Sequence, residues 1–222
     1  MAMLSNLDLI RRVPLFSLLT NDQAQGIADS VVKRRFRRGE IVVEHNKKSN
    51  ALFILLTGRA RVLTADSRGR EVILAVLQPG DYVGEMSLID NEPHSATVRA
   101  EVQTDMLILG RAEFARCLPE NSSLSYAIMR GLVQRLRSAD RQIESLALLD
   151  VYGRVARTLL DMCELEGEVK LIRNKVSRQD LAKVVGASRE MVSRVMKDLQ
   201  IGGFIEMRGS TIVLRDTILL PD

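Results

Sequence analysis

A chain of 222 residues that is 46% hydrophobic and 27% charged has ample apolar material for packed cores, and it is long enough for one large domain or two modest ones. Its formal net charge of +4 is small, so any surface built for an anionic polymer has to be a local concentration of charge. The absence of tryptophan and an aromatic content of 4% exclude a base-stacking platform for single strands.

No apolar run approaches the roughly 18 residues of a membrane span, and the N-terminus Met1-Ala-Met-Leu-Ser-Asn-Leu lacks a basic signal-peptide start. Cys117 and Cys163 lie far apart with no CxxC spacing, which fits reduced thiols in a soluble cytoplasmic protein without a structural metal. The same two cysteines, with His45 and His94, form no ligand cluster for haem or an iron–sulfur centre, so no prosthetic group is expected.

Along the chain, residues 7–32 carry apolar positions punctuated by Pro14 and Thr20-Asn21-Asp22, which predicts two or three short helices. The basic run Lys33-Arg34-Arg35 with Arg37-Arg38 reads as a solvated face and carries no assigned function. From Phe36 to Leu109 short β-type segments alternate with glycine-led turns: Glu40–Val43, Ala51–Leu56, Arg59–Thr64, Glu71–Leu77, Tyr82-Val83, Ala96–Ala100 and Asp105–Leu109. That rhythm predicts an antiparallel barrel or roll. One corner differs, because Gly84-Glu85-Met86-Ser87 starts like a helix directly after a strand and is followed by a loop containing His94 and Ser95. Backbone N–H groups at such a start can hold an anion, and Glu85 could accept from a sugar hydroxyl.

Ser122 to Leu149 reads as one long helix. Met129, Leu132, Leu136, Ala139, Ile143 and Leu146 follow spacings of 3, 4, 3, 4 and 3, a heptad seam that predicts a two-stranded homodimer. A boundary near Leu149-Asp150 then gives domains over 1–121, 122–149 and 150–222.

Val176 to Gln200 reads as two short helices broken at Gly186. Ser177 and Asp180 have capping-box spacing, Leu181, Val184 and Val185 supply the first apolar face, and Ser188 caps the second helix. Subtracting the stripe Val192, Val195, Met196 and Leu199 leaves Arg189, Glu190, Ser193, Arg194 and Lys197 on one exposed face. Arginine can bond both major-groove acceptors of guanine and glutamate can accept from the cytosine amino group, so this face suits a DNA major groove. Leu199–Ile205 and Ile212–Leu214, around a turn at Arg208-Gly209-Ser210, would form the wing of a winged helix. Residues 170–215 hold ten Lys/Arg against four acidic residues, the local excess that phosphate neutralisation requires.

The segments PGDYVGE, LALLDVYGRVARTLL and VSRQDLAKVVGASREMVSRVMKDL, with the long helix between the first two, resemble the bacterial CRP/FNR regulators over essentially the whole chain. The resemblance implies an α+β architecture: an N-terminal antiparallel β-roll of the cyclic-nucleotide-binding kind, a long dimerisation helix and a C-terminal winged helix-turn-helix. In the family's cyclic-AMP branch the residues matching Arg189, Glu190 and Arg194 read a TGTGA-type half-site, and Ser177, Arg178 and Gln179 would touch phosphates.

The effector corner departs from that branch. Gly84-Glu85 and Ser95 match, but His94 replaces the phosphate-binding arginine, and Ala139-Asp140 replaces the threonine–serine pair that bonds adenine. A neutral histidine is a weak phosphate ligand, whereas a carboxylate accepts from the guanine N1–H and N2–H edge and arginine suits O6 and N7. Arg137, Asp140 and Arg141 therefore point to cyclic di-GMP, which a few relatives sense, ahead of cyclic AMP. The expected partners are double-stranded DNA with a roughly palindromic site, a second copy of the chain and RNA polymerase, with no membrane. A cyclic-nucleotide module acting on a protein partner, or a ligand-independent DNA binder, are the rival readings. An enzyme is not expected, since no nucleophile–base pair or metal-spaced cluster occurs.

Overall fold

The computed structural model describes residues 5–17, 19–120, 122–167, 169–173 and 176–215, without the side chains of 116–120, 122 and 123, so the thiol of Cys117 lies outside the described groups. Cys163 is a half-buried free thiol whose Sγ donates to the Leu160 carbonyl at 3.0 Å. The chain forms two compact units, one running to Arg135 and the other starting at Leu136.

The first unit opens with α1 (Asn6–Arg11), a 3-10 turn at Pro14–Phe16 and α2 (Asn21–Ala28). Complete capping boxes start both helices, at Ser5 with Asp8 and at Thr20 with Gln23. Eight strands follow: β1 (Val32–Phe36), β2 (Ile41–Val43), β3 (Ala51–Thr57), β4 (Ala60–Ala65), β5 (Glu71–Leu77), β6 (Tyr82–Val83), β7 (Thr97–Ala100) and β8 (Thr104–Gly110), with α3 (Glu85–Asp90) between β6 and β7. They pair antiparallel in two four-stranded sheets, ordered β1-β8-β3-β6 and β2-β7-β4-β5. The roll expected from the glycine rhythm is present.

β3 and β8 are buried almost without interruption, because both faces of their sheet are covered. Leu52, Ile54, Leu107 and Leu109 pack under the N-terminal helices with Ile10, Phe16 and Ile27. Phe53, Leu55 and Met106, on the opposite face, meet Phe36, Val43, Leu77 and Val98 of the core between the sheets. The basic run, expected to be a solvated face, includes β1. Arg35 forms a two-point pair with Asp105 at 2.7 and 3.2 Å, Lys33 reaches the same carboxylate at 3.5 Å, and Arg34 pairs with Glu40 over the Phe36 ring.

After β8 comes a helix that the sequence did not announce, α4 (Arg111–Glu120), and then α5 (Ser122–Leu148), which matches the predicted long helix. Leu124 and Ile128 bury themselves in the first unit's core and Leu132 packs partly against it. Of the predicted seam, Leu132 is half-buried, while Met129, Leu136, Ile143 and Leu146 stay exposed, as does Val133 beside them.

The second unit adds α6 (Val151–Met162), β9 (Glu164–Glu166), β10 (Val169–Ile172), α7 (Arg178–Val185), α8 (Arg189–Ile201), β11 (Ile205–Arg208) and β12 (Thr211–Leu214). Val184 is exposed and Ala182 takes its place in the buried face of α7. Residues 199–201 finish α8, so the wing begins only at Ile205. The segment 164–172 supplies two strands that extend the wing to a four-stranded sheet ordered β11-β12-β10-β9. Val155, Leu159, Leu181, Val192, Met196, Leu199 and Ile212 form the core of this unit.

Candidate functional site

Gly84, at φ 97°, turns the chain from β6 into α3. An L-residue is strained at that angle, and a Cβ there would lie 2.5 Å from the Ala51 carbonyl oxygen, so the turn requires glycine. It drives Glu85 inward, to 1% exposure. One carboxylate oxygen, Oε1, accepts from Arg135 Nη1 of α5 at 2.5 Å, while Oε2 is buried with no hydrogen-bond partner among the described residues. Burial pushes the Glu85 carboxyl up from the ordinary glutamate range, and Arg135 opposes that shift. The Arg135 guanidinium also donates to the Tyr82 carbonyl and lies 5.0 Å over the Tyr82 ring. An orphaned buried acceptor beside a helix start that has no side-chain cap is an arrangement suited to a ligand hydroxyl next to an anion.

Arg111 fixes the far end of α3. Its guanidinium donates to the carbonyls of Ser87 at 2.9 Å and Leu88 at 3.1 Å, and its Nε donates to Asn50 Oδ1 at 3.1 Å. Ser87 is itself buried, and its hydroxyl donates to the Glu92 carbonyl at 2.6 Å. His94 is buried too, with Nε2 at 2.8 Å from Ser49 Oγ, and burial lowers its pKa. It offers no standing positive charge to an anion. Met86 and Ser95 are exposed. Arg137, Asp140 and Arg141 are also exposed, on the part of α5 that belongs to the second unit. Arg135 and Arg111 were not among the sequence-derived corner residues. Arg135 had a detectable signal, since it is the cation nearest the middle of the long helix on the face of Leu124 and Ile128.

In the second unit Ser177 caps α7 by accepting from the Asp180 N–H at 3.0 Å, and Ser188 caps α8 by accepting from the Met191 N–H at 3.1 Å. Gly186, at φ 65°, closes α7 in the left-handed conformation between the two helices. Arg154 of α6 donates from Nε to the Val185 carbonyl at 3.0 Å and from Nη1 to the Leu149 carbonyl at 2.9 Å, which ties the last turn of α7 to the end of α5. Arg189, Glu190, Ser193, Arg194 and Lys197 share the exposed face of α8 as expected. Ser193 returns its hydroxyl to the Arg189 carbonyl at 2.8 Å. Arg189, Glu190, Arg194 and Lys197 make no ion pair or side-chain hydrogen bond among the described residues, so their donors and acceptor face outward unused. Gln179 is exposed and Arg178 half-buried at the start of α7.

A family model described as a cyclic nucleotide-binding domain matches residues 33–121, and a Crp-like helix-turn-helix domain matches residues 153–220. The chain is 34% identical over 192 residues to the cAMP-activated global transcriptional regulator Vfr of Pseudomonas aeruginosa, covering 83% of this chain and 90% of that protein. It is 30% identical over 180 residues to the cAMP-activated global transcriptional regulator CRP of Salmonella typhimurium, covering 79% and 86%. Among solved structures it resembles the c-di-GMP responsive global regulator CLP of Xanthomonas campestris, with a TM-score of 0.74 and 29% identity over 89% of this chain and 100% of that one.

The raised Glu85 pKa gives a signed expectation. The folded chain binds this proton more tightly than the unfolded chain, so charging the carboxylate lowers stability as pH rises from the ordinary glutamate value through the raised one. Within that window the melting temperature of Glu85→Gln is expected to respond less steeply to pH than that of the parent. Parallel pH profiles for the two proteins would contradict the burial argument.

Proposed function

The chain belongs to the CRP/FNR family of transcription regulators, and on that premise we propose that it is a homodimer that binds a roughly palindromic DNA site with an affinity set by a nucleotide second messenger. The observation that carries the DNA half is the exposed face of α8, where Arg189, Glu190 and Arg194, without side-chain partners among the described residues, would be base readers, with Ser188, Ser193 and Lys197 beside them. Ser177, Arg178 and Gln179 would meet phosphates at the start of α7. The exposed apolar positions Met129, Leu136, Ile143 and Leu146, at 55, 62, 64 and 58% exposure, support a second copy along α5. Burying one such side chain is worth about 1.5–3 kcal/mol, and a two-fold pair places two recognition helices on one palindrome.

The effector reading favours cyclic di-GMP. Its support is the buried, bonded His94 where the cyclic-AMP branch carries a phosphate-binding arginine, together with the outward carboxylate of Asp140 between Arg137 and Arg141, a set that matches guanine edges. The c-di-GMP responsive structural neighbour fits this choice. Cyclic AMP is the second reading, favoured by the two cAMP-activated relatives and by the Gly84-Glu85 corner. Either nucleotide would act by population shift: it would bear on Glu85 and Arg135, hence on α5, and so on the paired recognition helices. RNA polymerase is a further partner of this reading; in the cyclic-AMP branch an exposed loop before the helix-turn-helix contacts it, and the corresponding segment from Glu164 to Lys175 is shorter here, so that contact surface is not carried over.

Two results are expected. Calorimetric titration should give saturable binding of cyclic di-GMP that Asp140→Ala weakens. Tight binding of cyclic AMP alone would transfer the assignment to the second reading, and silence from both would leave a ligand-independent DNA binder or one with another effector. Arg189→Ala or Arg194→Ala should each cost about 1–3 kcal/mol of operator affinity and relax base preference at one position. Wild-type affinity for either variant would contradict the placement of the recognition helix.

A further inference from the structure

Gly131 sits within α5, where glycine is worse than alanine by about 1 kcal/mol, and its φ requires no glycine. A side chain there would collide with Tyr82 of β6: a Cβ at 131 would lie 2.1 Å from the Tyr82 hydroxyl oxygen and 3.2 Å from Cζ. Tyr82 is 9% exposed, and its hydroxyl points to the Ile128 carbonyl at 3.5 Å, a long bond. The fit against Gly131 therefore locates the ring more than that bond does. Residues 128, 131 and 135 lie at steps of three and four, on one face of the helix. One turn beyond the gap, Arg135 covers the same tyrosine ring and reaches Glu85.

We infer that Tyr82 and Gly131 form a register lock, positioning residues that hold α5 at the height and rotation at which Arg135 meets the Glu85 carboxylate. A slip of one residue moves a helix by about 1.5 Å along its axis and 100° around it. That would take the guanidinium away from a carboxylate with 1% exposure, leaving a buried charge without its counter-ion. The lock ends at Arg135, where the first unit also ends. It deepens the effector reading of this corner and, as far as nucleotide affinity is concerned, rests on it.

The test compares the parent with Tyr82→Phe, Gly131→Ala and the double variant. Nucleotide affinity is measured with cyclic di-GMP and cyclic AMP, and amide hydrogen exchange over residues 132–137 is measured without nucleotide. Gly131→Ala is expected to weaken whichever nucleotide binds the parent by about ten-fold, the scale of an overpacked contact, and to speed exchange in that segment. Tyr82→Phe, which removes the oxygen seated against Gly131 but keeps the ring under Arg135, should lose less than Gly131→Ala does, and combined with Gly131→Ala it should restore most of both losses. Should Gly131→Ala alone not fold, recovery of folding in the double variant is the same signature. A glycine with no locking role predicts the reverse, since alanine favours helix and would slow exchange whatever stands at position 82. Parent-like Gly131→Ala, or a double variant as impaired as the single one, would overturn the lock. Rescue in exchange with neither nucleotide bound by the parent would uphold the lock and remove the effector reading.

Discussion

A carboxylate with 1% exposure can keep its charge only beside a counter-charge, and in the first unit that constraint joins the roll to the long helix. The glycine turn at Gly84 forces Glu85 inward, and the cation that meets it, Arg135, comes from α5. β6 supplies the ring on which that guanidinium rests, and Arg111 anchors the end of α3 through its terminal carbonyls. Anything that supplies Glu85 with a hydroxyl donor, or competes for Arg135, acts on the corner and the helix at once. The same ion pair is a structural brace and the point at which a ligand would have leverage.

The distribution of basic groups sets the α8 face apart more sharply than the net charge does. In the roll, Lys33, Arg34, Arg35, Arg59, Arg61 and Arg99 each face a carboxylate, and Arg111 is absorbed by backbone carbonyls. On α8, Arg189, Arg194 and Lys197 have no such partner among the described residues. Guanidinium groups already held by carboxylates contribute little attraction to a distant phosphate, whereas unpaired ones on an exposed helix face are free to contact base edges. A net charge of +4 therefore conceals a recognition face with open donors.

Much of this was legible in the chain. Glycine-punctuated β-type segments gave the roll, and 3,4 spacing gave the long helix and the exposed face of α8, because periodicity follows directly from which side is buried. Errors arose where local pattern and packing diverge. Leu199–Ile201 has strand-like residues but continues α8, since Leu199 is needed in the core beneath it. Val184 looks like a core residue by type, yet the smaller Ala182 faces inward. β9 and β10 are short and carry no alternating apolar pattern, and β10 is held on its other side by β12, some forty residues on, so their strand character depends on a distant partner. The Arg135–Glu85 pair was missed because it joins residues 50 apart in sequence, and Gly131 drew no attention because a gap is meaningful only once the ring that fills it is known.

The central claim is that occupancy of the Glu85–Arg135 corner changes how the α8 face meets DNA. It is tested most directly by titrating a labelled palindromic TGTGA-type duplex with the protein, with and without saturating cyclic di-GMP or cyclic AMP, and following fluorescence anisotropy. The account predicts that one of the two nucleotides shifts the apparent Kd, in either direction, and that the shift vanishes in Glu85→Gln. A nucleotide that binds the protein but leaves the DNA affinity of the parent unchanged would contradict it.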